Sequence, residues 1–312
     1  MRNADDSLPC SMAEPDPRVA GSPAPHARPR VLYVMGAGRS GSTIFGVTLG
    51  NCEQVFYAGE LDAWLARSGE PQLGGEERTR FWSAVLADVS DAAPLFGKEP
   101  QRSIERSVSI LRVHKWLARR RLSEPYRRIA GSLYRAIAEH TGSTLIVDTS
   151  HYPLRARELQ RLDGVEVYLV YLARDPQSVV ASFNRKDVAQ YSKSTLTTNV
   201  YLWLTNLLAV IVFLQHPRAR RLFVRYEDFI ASPEEVLGEV LGGAGVAVAP
   251  PDFTALRTGI PFQGNRLIAS EVIALAGEPA RAPARSALTS VMQFPWSLLL
   301  ARLRPAAALE AR

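Results

Sequence analysis

The chain is poor in cysteine: Cys10 and Cys52 are the only two in 312 residues. Two such residues make no disulfide framework and no metal-ligand spacing, so neither is given a role and no metal is expected. Residues 1–29, MRNADDSLPCSMAEPDPRVAGSPAPHARP, lack apolar periodicity and also lack the run of roughly 7–15 apolar residues that a secretory signal requires. They are rich in Pro, Ala and Ser and bury too little surface to offset the entropy of ordering. A disordered tail is expected there, and a cytoplasmic location for the protein. A long uninterrupted apolar run is missing too. The stretch LTTNVYLWLTNLLAVIVFL, Leu196 to Leu214, has about the length of a bilayer span but holds Thr197, Thr198, Asn199, Thr205 and Asn206. It reads as a buried or half-buried helix, and no transmembrane segment is expected. Neither sign of charge dominates: 37 Lys and Arg against 31 Asp and Glu leave +6. That balance suits a small anionic ligand, and no nucleic-acid partner is expected.

The remaining composition, 46% hydrophobic and 22% charged, is that of a globular chain with one large domain over residues 30–312. Val31 to Met35 is a short apolar run ending at glycine, and Ser42 to Leu49 has a helical pattern. Further strand-like runs lie at Gln54–Tyr57, Thr144–Val147, Val165–Ala173 and Arg221–Tyr226, the last three largely apolar on both faces. Helical patterns separate them. The alternation predicts an α/β fold, a P-loop-NTPase-like parallel sheet flanked by helices on both sides, with ligands at the carboxyl ends of the strands. Residues 61–140 read as a helical insertion with breaks near Ala92–Pro100 and at Pro125. Residues 246–312 read as an irregular C-terminal segment that ends in a docking pattern, SALTSVMQFPWSLLLARLR.

In RVLYVMGAGRSGST, residues 30–43, Gly36, Gly41 and Thr43 keep the spacing of a phosphate-binding loop, G-x-x-x-x-G-K-[ST]. The lysine is absent: Ser42 holds its place, and the nearest cation is Arg39, inside the loop. A glycine-rich turn between a strand and a helix gathers backbone N–H groups and the positive helix end at one point, which is an anion site. The loop Gly38 to Thr43 adds the side chains of Arg39, Ser40, Ser42 and Thr43 as donors. Such turns also occur with no ligand, and the central cation favours the ligand reading here.

A second constellation follows the strand Val165–Ala173. Asp175 suits a helix cap and Pro176 its first turn, while Ser178 and Ser182 lie four residues apart on one face. Arg174, Ser178 and Ser182 thus point to a second phosphate site at the same sheet edge. Its plainer reading is a capped helix whose arginine pairs with a carboxylate.

Two anion sites at strand ends suggest a nucleotide with phosphates at two positions. RVLYVMGAGRSGST, YLARDPQSVVAS and VRYEDFIASPEEVL resemble the sulfotransferases that use 3′-phosphoadenosine 5′-phosphosulfate (PAPS), in the branch of carbohydrate, tyrosyl-protein and bacterial enzymes with Arg in the first loop. The resemblance implies that Arg39 holds the bridging oxygen and that Ser42 and Thr43 contact the 5′-phosphate. It implies that Arg174 and Ser182 clamp the 3′-phosphate and that Arg266, in Gly264-Asn265-Arg266, reaches it as well. The product is adenosine 3′,5′-bisphosphate, and no metal is implied. Sulfuryl transfer has no γ-phosphate to hold, so the missing lysine is not needed; a cation near the bridging oxygen suffices.

A base must take the proton of the attacking hydroxyl or amine. Glu60 is the leading candidate, because it follows a short strand in a Gly-Glu turn like that of tyrosyl-protein relatives. His151 is the second, at a position where many bacterial relatives carry lysine; it binds cofactor, acts as a base or merely packs. Asp148 is read as orienting Arg39 or the substrate. The acceptor is a carbohydrate or small molecule, and the insertion 61–140 is expected to cover its cleft with Trp64, Phe81, Trp82, Phe96, Trp116 and Tyr126. A homo-oligomer through the Leu196–Leu214 helix or the C-terminus is also open. Two other functions compete. A P-loop kinase or NTPase would use the Gly36–Thr43 spacing and Asp148 as its Walker B aspartate. A catalytically silent nucleotide-binding protein would keep Arg174 and Ser182 and leave Glu60 and His151 idle.

Overall fold

The computed structural model describes residues 28–89, 91–184, 194–247, 249–275, 277 and 285–303. The expected tail, residues 1–29, lies outside them except for its last two positions. Strands β1 (Arg30–Gly36), β2 (Val55–Gly59), β3 (Leu145–His151), β4 (Glu166–Ala173) and β5 (Arg221–Arg225) form a parallel sheet in the order β2-β3-β1-β4-β5. Each lies on a run that the sequence marks as apolar.

Ten helices accompany these strands among the described residues: α1 (Ser42–Gly50), α2 (Ala63–Ala66), α3 (Glu76–Asp88), α4 (Val113–Thr141), α5 (Pro153–Leu159), α6 (Pro176–Phe183), α7 (Thr195–Gln215), α8 (Tyr226–Ala231), α9 (Pro233–Gly243) and α10 (Ala287–Ala301). Strand β1 shows why both faces of the sheet are covered. Its alternate residues Val31, Tyr33 and Met35 join a core with Ile129 and Ile137 of α4, Leu159 of α5 and Val212 of α7. Leu32 and Val34 join a second core with Phe45 of α1, Phe229 of α8 and Leu237 of α9. A strand buried on both faces has no polar side to turn outward, hence the continuous apolar run.

The insertion departs from expectation at two points. Helix α4 runs unbroken through Pro125. The ring removes one hydrogen bond to the preceding turn, but Tyr126, Ile129, Leu133, Tyr134 and Ile137 are all buried on the turns that follow, and their packing carries the helix past it. The aromatic residues expected to line a cleft are largely core instead. Trp64, Trp82 and Tyr126 are fully buried, and Trp82 packs edge-on against Phe262 at 5.0 Å while Nε1 donates to the Ile260 carbonyl at 2.9 Å. Of the three tryptophans, Trp116 alone is exposed.

The C-terminal segment is more ordered than its composition suggests. Strands β6 (Leu256–Arg257) and β7 (Val272–Ile273) pair antiparallel. Helix α10 docks on α7, where Asn199 Nδ2 donates to Thr289 Oγ1 at 3.0 Å and Trp203 meets Trp296 with ring centroids 5.2 Å apart. Asn206 of α7 accepts a bond from the Tyr171 hydroxyl at 3.0 Å.

A buried polar network joins the insertion to the sheet. Arg155 of α5 donates to Glu105 Oε1 at 3.0 Å and to Asp148 Oδ2 at 3.1 Å. Asp148 also accepts from the Tyr134 hydroxyl at 2.6 Å, from Ser150 N at 2.9 Å and from the Ser150 hydroxyl. Glu105 accepts from the Tyr126 hydroxyl. Both oxygens of Asp148 are therefore occupied by structural partners, which corrects its reading as a residue that orients Arg39 or the substrate. Removing the arginine would leave two buried carboxylates without their counter-ion. Arg155→Met is expected to cost about 3–5 kcal/mol of unfolding free energy in denaturant titration; a loss below about 1 kcal/mol would show that the network does not tie the insertion down.

Candidate active site

The loop after β1 is held by close contacts on both sides. A side chain at Gly36 would run into the Leu172 carbonyl oxygen of β4. Gly41 has φ +94° and lies against the Tyr226 ring, where any Cβ would collide. Between them Arg39 adopts φ +69°, a left-handed conformation that costs a non-glycine residue about 1–2 kcal/mol and is typical of functional loops. The Gly38 amide donates to the Tyr201 hydroxyl of α7 at 3.1 Å. Helix α1 begins at Ser42 with no side-chain cap and no acidic residue in its first turn. No side-chain oxygen takes up its first N–H groups, the arrangement in which a helix start can hold an anion. Ser40, Ser42 and Thr43 are buried at this point.

The two expected anion sites adjoin. Arg174, at the end of β4, donates from Nη1 to the Arg39 carbonyl at 3.3 Å, and its guanidinium lies 4.3 Å from the centre of the Tyr226 ring. Asp175 caps α6 as expected, accepting from Ser178 N at 2.8 Å and Ser178 Oγ at 2.9 Å. Asp175 N in turn donates to Glu227 Oε1 at 2.7 Å. Ser178 is thus spent on the cap, which removes it from the expected trio. Ser182, one turn further along α6, is partly buried.

Glu60 follows β2 and is gripped by the C-terminal segment. Its amide donates to the Gln263 carbonyl at 2.8 Å, and Gln263 Nε2 donates to its Oε2 at 3.3 Å. Burial pushes its carboxyl up to about 7; Asp62 and Asp148 add to the shift, while Gln263 and Arg39 oppose it. Arg39 and Glu60 therefore act on each other. His151, at the end of β3 with φ +56°, stacks on Tyr152 at 4.3 Å, and burial lowers its imidazole to about 4. Its Nε2 lies 3.9 Å from where a Cβ on Gly38 would sit. The turn expected to close over a nucleotide is also present. Gly264 lies against Thr43, with Thr43 Cγ2 3.6 Å from its Cβ direction, and Arg266 beyond it is exposed.

Glu60, the loop, His151, Arg174 and the Gly264 turn thus gather at one sheet edge. The chain matches the model of the sulfotransferase family over residues 31–250. It belongs to that family. Among solved structures it is similar to the sulfotransferase domain of the curacin biosynthetic pathway, at 16% identity and TM-score 0.52, covering 86% of this chain and 98% of that one. It is also similar to the sulfotransferase domain of the Synechococcus PCC 7002 olefin synthase, at 18% identity and TM-score 0.52, covering 88% and 97%. At these identities the two structures speak for the fold. No curated protein sequence matches the chain.

Tyr201, Tyr226 and Gln263 take part without having been singled out for it in the sequence. Tyr201 sits in a helix that already holds several polar residues, so nothing local to the sequence marks it out. The raised carboxyl of Glu60 has a consequence for stability. An acid whose pKa is higher folded than unfolded favours the fold below its ordinary range, and that contribution is lost as pH rises through about 7. Glu60→Gln, which stays neutral, should match the wild type in melting temperature at acid pH and exceed it above neutrality. Parallel melting curves across the whole range would show that Glu60 is not held neutral.

Proposed function

We propose that the protein moves a sulfuryl group from PAPS, in line, to a hydroxyl or amine of a small-molecule or carbohydrate acceptor. The observation that carries this reading is that Arg39, in the loop before an uncapped helix start, and the buried Glu60 stand at the same sheet edge. The residues fit a two-phosphate ligand: the α1 amides, Ser42 and Thr43 for one phosphate, Arg174 and Ser182 for the other, with Arg266 on the facing turn. When bound, PAPS supplies the sulfuryl group on a bridging oxygen that gains charge as the bond breaks. Arg39, half-buried beside the buried Ser40, Ser42 and Thr43, stabilises that charge as a cation held in place by the loop.

Glu60 receives the proton of the acceptor. A carboxyl held near 7 is matched to neutral pH, whereas an imidazole at about 4 is a weak base there. His151 is therefore assigned to packing beside the loop and the bound ligand. The kinase reading fares worse. Asp148 spends both oxygens on Arg155, Tyr134 and Ser150, and Ser42 stands where the β/γ-phosphate lysine belongs.

The test is transfer from labelled PAPS to a panel of sugars, phenols and amines. Glu60→Gln should lower kcat by about 10²–10⁴-fold with bisphosphate affinity kept, and wild-type kcat/KM should rise with pH through about 7. A fully active Glu60→Gln would remove the base assignment; no transfer by the wild type to any acceptor would favour the silent binding protein.

A further inference from the structure

Two neighbouring helices carry an apolar stripe on the side turned away from the core as well as on the side packed against it. Neither α7 nor α10 contains an Asp, Glu, Lys or Arg. Their inner sides bury Leu202, Leu208, Val212, Phe213 and Trp296 together with the polar Asn199, Thr205, Asn206, Thr289 and Gln293. A further set of apolar residues faces out. Along α7, Leu196, Val200, Trp203, Ile211 and Leu214 recur at helical spacing on one face and are 41–55% exposed. On α10, Leu288, Val291, Phe294 and Leu298 are 43–75% exposed. The helices run in the same direction, with Trp203 packed on Trp296 at the seam, so the two stripes adjoin. Contiguous apolar surface of this kind marks a docking site.

The charge around the face selects the partner. Residues 194–221 and 285–303 contain no Asp or Glu. The exposed cations Arg218 and Arg302 stand beyond the helix ends, while Arg285 lines a pocket together with Asp175 and Glu227. We infer that this face docks on an anionic lipid surface, its apolar side chains entering the boundary between headgroups and acyl chains and its arginines meeting lipid phosphates. A second copy of the chain is a poorer fit: a two-fold interface across the face would set arginines against arginines, with no acid on either helix segment to pair them. Helix α7 has the length and apolar character of a membrane span, yet its inner side is engaged with the fold through Asn199, Asn206 and Tyr201. The contact is one of lying on the surface. Because Tyr201 reaches Gly38 from the same helix, docking places the loop close to the lipid. The inference stands apart from the reaction proposed above.

The full chain is tested by flotation with phosphatidylcholine vesicles, with and without phosphatidylglycerol. The wild type should float with the anionic vesicles and far less with the neutral ones. Val200→Asp combined with Val291→Asp should reduce flotation about tenfold or more while the circular dichroism spectrum is kept. Should that double variant fail to fold, Arg218→Glu with Arg302→Glu should weaken binding at low salt and leave the apolar face intact. Absence of flotation with anionic vesicles, or undiminished flotation of the folded variants, overturns the inference. So does a wild-type dimer in sedimentation that the aspartates convert to monomer without any vesicle binding, which would give the face to a second copy.

Discussion

The position of β1 between β3 and β4 is the constraint on which the site depends. Met35 is level with His151 of β3 and with Tyr171 of β4, and Gly36 is level with Leu172. Because β1 is buried on both faces, a slip of one residue would exchange its two cores, so the register is fixed by packing. The fixed register brings the loop, His151 and Arg174 to one edge. Tyr226 then closes the arrangement by touching both Gly41 and Arg174.

The network around Arg155 has no reacting group of its own, yet it bears on the chemistry. Asp62 and Asp148 are held as buried carboxylates beneath the site, with Asp62 N bonded to Ser150 Oγ at 3.0 Å and its Oδ2 accepting from Gln101 at 2.8 Å. Both push the Glu60 carboxyl upward. A structural ion cluster that anchors the insertion thus adds, through Asp148, to the upward push that burial gives the proposed base.

The sheet, the loop and the capped helix α6 were legible because each rests on local chemistry: apolar runs, glycine spacing, an Asp-Pro helix start. Glu60 and Arg174 stand just past strand ends, where the sequence places them. What stayed hidden depends on contacts between distant parts of the chain. Gln263 is 203 positions from Glu60 and Tyr201 is 163 from Gly38, and no periodicity reports such pairs. Pro125 was read as a break because propensity speaks for the isolated helix, and burial of the following turns overrides it. The insertion aromatics were misplaced for a related reason: composition records that Trp64 and Trp82 are present, whereas only packing decides that they face the core.

The proposed two-phosphate site would work without a Walker lysine. Calorimetry with adenosine 3′,5′-bisphosphate in the absence of metal, beside ATP with Mg²⁺ and beside Arg174→Ala, tests it most directly. The bisphosphate should bind tightly and the variant should lose that binding, with ATP bound weakly or not at all. Preference for Mg-ATP, or bisphosphate binding indifferent to Arg174, would contradict it.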